Sequence, residues 1–178
     1  MMNQTESFRH AQSGSLAMLE MNYQDDELSM VVLLPDARDG LPALEASLTA
    51  ESVDALIAEA LPHKVQLSLP RFELELPLPL AELMQTLGIR RAFDPGQADF
   101  SKMLDPRIRP LRIDDAIHKA FVKVDEKGTE AAAATGVEAV PTSGPFSFVA
   151  DHPFLYLIRD RLTGSILFMG RMEDPTKG

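Results

Sequence analysis

Residues 125–145 read DEKGTEAAAATGVEAVPTSGP, and the fold of the whole chain hangs on how this stretch is understood. Four consecutive alanines, Ala131, Ala132, Ala133 and Ala134, suggest a helix. Gly128 and Gly136 bracket them, however, and Thr135, Val137 and Val140 lower helix propensity. Parity is more informative. Odd positions carry Thr129, Ala131, Ala133, Thr135, Val137 and Ala139, while both charges, Glu130 and Glu138, are even. One face of small or β-branched side chains is a strand pattern. Pro141-Thr142-Ser143-Gly144-Pro145 cannot continue in a sheet. A structureless loop of roughly 20 residues is uncommon inside a compact domain. Two readings fit: a flexible surface linker, or a segment able to be either loop or strand.

On the C-terminal side, Phe146 to Val149 reads as a short strand. Phe154 to Ile158 and Ser165 to Met169 are continuous apolar runs, suited to strands buried on both faces and joined by an Arg159-to-Gly164 hairpin. On the N-terminal side, Ile113 to Asp125 reads as a long strand. Its even positions from Ala116 to Val124, His118 among them, form one mostly small, apolar face.

Farther out, Ser15 to Tyr23 and Leu28 to Leu34 predict a hairpin closed by Gln24-Asp25-Asp26-Glu27. Leu41 to Leu48 predicts a short helix. Thr49 caps a second one, carrying Val53, Leu56, Ile57 and Ala60 and stopped by Pro62. Val65 to Leu69 and Phe72 to Leu76 alternate as strands around Pro70. Leu80 to Leu87 is a short helix closed by Gly88. Phe93 to Pro110 is irregular. The sum is α+β: mostly antiparallel sheets with a few short helices.

Composition narrows the function. The 178 residues suit one domain, and 45% apolar content can build a core. With 17 basic and 27 acidic residues the net charge is −10, which argues against a nucleic-acid partner. No apolar run reaches membrane-spanning length, so no membrane partner is expected. The first residues lack the basic and apolar regions of a signal peptide. The absence of cysteine removes disulfides, thiolate catalysis and Cys-based zinc sites.

Nothing reads as an enzyme active site. His10, His63, His118 and His152 show no zinc-ligand spacing, so no metal is expected. His63 and His152 adjoin prolines and look like exposed loop residues. His118, on an apolar strand face, reads as a core histidine rather than a catalytic one. Gly-x-Ser-x-Gly, P-loop and dinucleotide motifs are absent, and no cofactor is expected. Asp114-Asp115 reads as a solvated strand start.

Lys123-Val124-Asp125-Glu126-Lys127-Gly128-Thr129-Glu130-Ala131-Ala132-Ala133-Ala134-Thr135 resembles the hinge of a reactive centre loop in an inhibitory serpin of bacterial type. Residues 147–160 (SFVADHPFLYLIRD) and 163–171 (TGSILFMGR) resemble that family's C-terminal strands. Ser29 to Asp36 and Leu69-Pro70-Arg71-Phe72 also fit, in the expected order. The resemblance covers essentially the whole chain and about the C-terminal half of the family fold. It implies that residues 1–178 are the C-terminal segment of a single serpin domain, with the reactive loop at about 126–146.

The family resemblance implies a suicide-substrate inhibitor of serine proteases, not an enzyme. Its cleaved loop inserts as a new strand. Glu126, Gly128, Thr129, Glu130, Ala131, Ala132, Ala133 and Ala134 would form the hinge, and small residues at 129, 131, 133 and 135 can enter a sheet. A charge there would be buried unpaired at a cost of several kcal/mol. Counting along the usual loop length puts the scissile bond at Thr142-Ser143. Thr142 then suits an elastase-like or subtilisin-like protease. Arg71 would pair with Glu126, and His118 would be the switch histidine beneath the parting strands. The implied partners are that protease, the N-terminal half of the fold, and other copies through self-association. The implied compartment is extracellular or periplasmic. The rival reading is a strand-exchanging binding or assembly fragment, or a non-inhibitory family piece.

Overall fold

The computed structural model describes residues 1–103, 111–125 and 144–177. Its elements are β1 (Met2–Ser13), β2 (Leu16–Asn22), β3 (Leu28–Pro35), α1 (Leu41–Ser47), α2 (Ala50–Glu59), β4 (Leu61–Leu69), β5 (Phe72–Pro79), α3 (Leu80–Thr86), β6 (Ile117–Val124), β7 (Phe146–Val149), β8 (Phe154–Asp160) and β9 (Ile166–Met172). They fall into two compact units, one of Met1–Phe72 with Lys123–Gly178 and one of Glu73–Val122.

The first unit is built on a seven-stranded sheet in the order β7-β4-β1-β2-β3-β8-β9. Every adjacent pair is antiparallel except β4 with β7. The register aligns Arg9, Glu20, Val31, Leu157 and Met169 in one row and His10, Leu19, Val32, Tyr156 and Gly170 in the next, on opposite faces. The first face carries the helices. Val53, Leu56 and Ile57 of α2 and Leu41 and Leu44 of α1 cluster with Ala11, Met18, Val31, Leu33, Leu155 and Leu157. α2 begins as Thr49 predicts: Thr49 Oγ1 accepts from Ser52 N at 3.2 Å and Ser52 Oγ from Thr49 N at 3.0 Å.

One charged group lies inside this face. Glu20 is 2% exposed. Its carboxylate accepts from Ser29 Oγ at 2.7 Å and from Arg9 Nη1 at 2.6 Å, with Arg159 Nη1 3.5 Å away. Arg9 also donates to the Ile57 and Ala60 carbonyls at 2.7 and 3.2 Å, satisfying orphan groups at the end of α2.

On the opposite face the Tyr156 ring lies over Gly170. A Cβ at Gly170 would overlap the phenol, approaching ring Cε1 to 2.8 Å. Phe72 packs on the same tyrosine with ring centroids 5.4 Å apart.

In the second unit β5 and β6 form a two-stranded sheet. Lys119 Nζ meets Glu75 Oε1 at 2.7 Å, and Leu80 N donates to the Ala116 carbonyl at 2.7 Å. α3 gives way at Gly88, whose φ of +101° is the left-handed geometry its sequence position predicts.

Several expectations need correction. β1 is a 12-residue strand inside the sheet, in a stretch where the sequence reading places none. Its residues are mostly polar, and it is held by pairing along both edges rather than by an apolar period. α2 ends at Glu59 with Ala60 as its C-cap, two residues before Pro62, as expected; Pro62 itself lies within β4, beyond the stretch that β7 covers. The expected strand over 113–125 shortens to β6. There the odd positions Ile117, Lys119, Phe121 and Lys123 are exposed; on the even face Val124 is buried and Ala120 and Val122 are half-buried, but His118 is exposed. A two-stranded ribbon has no layer of its own to bury either side. β8 is buried on both faces as expected, but β9 is not: Ile166, Leu167, Phe168 and Met169 are 46, 50, 42 and 66% exposed. β9 is an edge strand, and its apolar run faces solvent.

Two outcomes follow for urea unfolding of the chain. Glu20→Ala strands a guanidinium and should cost about 3 kcal/mol, the low end for a broken buried pair because Arg9 keeps a third of its side chain in solvent. A loss below about 1 kcal/mol would show that the network is not holding the strands. Gly170→Ala should cost about 1–3 kcal/mol by overpacking against Tyr156. An unchanged midpoint would show that the ring can move aside.

Candidate functional site

The loop stretch singled out in the sequence is flanked by two described strand ends of the first unit. On its N-terminal side the chain leaves β6 at Val124 and Asp125. These line a small groove with Met21, Asn22, Tyr23, Met30 and Lys123 at the β2–β3 end of the sheet. Lys123 Nζ lies 4.0 Å from Asp125 Oδ2. Burial pushes the Tyr23 phenol above its ordinary value. Asn22 Nδ2 donates to Asp26 Oδ1 at 2.8 Å, and Asp26 itself has φ +56°, the turn geometry that lets the hairpin close.

On its C-terminal side the chain enters β7, at the far edge of the sheet. Four parallel pairs, Val65 with Phe146 through Ser68 with Val149, hold β7 to β4. Phe148 is buried, and Phe146 is half in solvent. Phe146 packs on two imidazoles, stacking on His10 with centroids 5.2 Å apart and meeting His63 edgewise at 4.8 Å. Both histidines therefore sit on strands rather than in loops, and His63 is half-buried.

The turn after β7 is fastened to the end of β3. His152 Nε2 donates to the Pro35 carbonyl at 2.6 Å, and its Nδ1 lies 2.8 Å from Asp151 Oδ1. Arg38 donates to the other Asp151 oxygen. His152 first, and Arg38 after it, hold the Asp151 carboxyl below the ordinary carboxylate range. The two described ends that flank residues 126–143 are thus anchored at separate places, one at the β2–β3 hairpin and one on β4.

Thr142, Ser143, Glu126, Gly128, Thr129, Glu130, Ala131, Ala132, Ala133 and Ala134 lie outside the described residues. Arg71 is exposed at the β4–β5 junction and lines a cleft with Met1, Pro70 and Asp151; its expected partner Glu126 is outside the described residues. His118 is exposed on β6 rather than buried, because only one other strand accompanies it in its unit. Among the described residues no group of three His, Cys, Asp or Glu could hold a metal. The sequence reading missed the His10–His63–Phe146 contact. Its only signal was two histidines on stretches that the register later brings together.

Comparison with known proteins places this architecture. The family described as serpin (serine protease inhibitor) matches residues 1–175. An uncharacterized serpin-like protein of Thermococcus kodakarensis is 38% identical over 184 residues, covering 100% of this chain and 42% of that protein. Serpin B3 of Homo sapiens is 42% identical over 182 residues, covering 98% of this chain and 46% of its own length. Among solved structures, native protease nexin-1 with heparin superposes with a TM-score of 0.80 at 28% identity, over 97% of this chain and 46% of that one. The chain thus spans under half the length of the relatives it matches. Its sheet order, its helices and its match over residues 1–175 make it a member of the serpin family.

Proposed function

We propose that this chain is the C-terminal part of a single serpin domain that inhibits serine proteases by loop insertion, with Thr142-Ser143 as the bait bond. The family is one of serine protease inhibitors. The observation that carries the finer reading is the parity of the loop. Thr129, Ala131, Ala133 and Thr135 are all small and uncharged, so this face can enter a sheet without burying a charge. The hinge of residues 126 and 128–134 would make that entry.

In the proposed reaction the protease serine Oγ attacks the Thr142 carbonyl carbon. The C–N bond to Ser143 breaks, the serine proton passes to the departing nitrogen, and Thr142 remains as an ester on the protease. Ser143 becomes a free α-amine at the head of the segment that continues into β7. Insertion of the freed loop then competes with hydrolysis of the ester. Strand addition supplies main-chain hydrogen bonds, and the small face lets the neighbouring strands close. The β-branched Thr142 suits an elastase-like or subtilisin-like pocket. The strands that receive the loop belong to the complete fold, so the N-terminal half of that fold is a required partner. An extracellular or periplasmic setting fits such targets.

A second reading has its own observation. β9 presents an apolar run at a sheet edge, and such edges pair with other chains. On that reading the chain is a strand-exchanging assembly fragment without inhibition of its own, and it self-associates.

The test uses the complete polypeptide that carries this segment, mixed with an elastase-like serine protease and run on a denaturing gel. An adduct near the summed mass, lost in Thr129→Arg in favour of clean cleavage, is the expected result. Clean turnover of the unaltered protein without adduct would overturn the inhibitor reading. Light scattering of the 178-residue chain separates the second reading, which a stable monomer would defeat.

A further inference from the structure

β7 is the shortest strand of the seven-stranded sheet, with one neighbour and four paired residues. Among the described residues its backbone ladder is extended by Ala150 N, which donates to the Ser68 carbonyl at 2.9 Å. Side chains must therefore supply much of its seating. Phe148 reaches the core, but Phe146, which opens the strand, rests on the two imidazoles. His10 of β1 and His63 of β4 are diagonal neighbours on one face, with ring centroids 6.1 Å apart.

We propose that His10 and His63 form a pH-sensitive clamp on β7, and that protonation of the pair frees Phe146 and opens β7 from β4. The inference is independent of the inhibitor reading, since it concerns only described strands. Two neutral imidazoles pack well against a phenyl ring. Two imidazoliums 6.1 Å apart repel each other, and both must lose water to stay under Phe146. Burial first, and His63 second, already hold the His10 imidazole below its ordinary value of 6.5.

The sign follows from linkage. A base whose docked pKa lies below its free value binds protons better once undocked. Its contribution to docking is complete above about pH 6.5 and is lost as pH falls through the lowered value. Other charged groups face the pair. Glu6 stands on the same face of β1, opposite Val65 and one residue pair from His63. Asp36 and His152 line the groove that His10 shares with Phe146, and His152 is committed to Pro35 and Asp151. β2 contributes the apolar Leu19 opposite His10, and β7 contributes no charge. The opposing forces are the attraction of an imidazolium for the Glu6 and Asp36 carboxylates, both weakened by solvent, and for the face of Phe146, on which His10 stacks at 29°.

Amide hydrogen exchange of the 178-residue chain, corrected for intrinsic rates, reads the clamp directly. Between about pH 7.5 and about pH 5, protection of residues 147–150 should fall about tenfold, as expected for two like charges at this spacing under partial screening. Protection of β8 should hold. His63→Gln should remove most of the pH response of β7. Constant or rising β7 protection on acidification would overturn the proposal, as would a fall of the same size in His63→Gln. If His63→Gln loses β8 protection at neutral pH, titration of the unaltered chain decides. The β7 opening must then share its midpoint with the His10 imidazole, and a separate midpoint overturns the clamp.

Discussion

The buried carboxylate of Glu20 is the constraint on which the sheet depends. A charge taken out of water needs partners close by, and Glu20 finds them on three other strands: Arg9 on β1, Ser29 on β3 and Arg159 on β8. They meet only in the observed register. A slip of one residue would turn Glu20 to the opposite face, among Val32 and Tyr156, and would leave it without them. Arg9 also reaches the end of α2, so the same network sets the helix layer over the sheet. The pair's net energy is modest; its effect is to exclude other registers.

Once β1, β2, β3 and β8 are aligned, the edges follow. β4 takes the free side of β1, and β7 takes the free side of β4. β9 takes the free side of β8, where Gly170 leaves room for the Tyr156 ring. The two edge strands differ in chemistry. β9 offers apolar side chains to solvent, whereas β7 is seated on imidazoles. In sequence, the segment proposed as bait lies between β6 and β7. The strand that follows it, β7, is the shortest of the sheet and lies at its edge.

Much of this architecture is legible in the residues. Continuous apolar runs mark β3 and β8, and Thr49 with Ser52 marks the start of α2, because these signals are local. β1 is not legible. Asn3, Gln4, Thr5, Glu6, Ser7 and Gln12 carry no apolar period, and only pairing with β2 and β4 makes them a strand. β9, and β6 at His118, show the complementary failure. Their apolar patterns indicate which side chains can be buried, but burial also needs a covering layer, which a pattern cannot supply. The parity of residues 129–139 is readable without a structure. The His10–His63–Phe146 contact is not, since it joins three strands through register alone.

The account of function is decided where a protease cuts. Mass measurement of the C-terminal peptide that an elastase-like protease releases from the denatured reaction product reads this directly. The account predicts a peptide beginning at Ser143, with its N-terminal counterpart held on the protease through Thr142. First cleavage within 129–139 instead, leaving no segment long enough to insert, would contradict it.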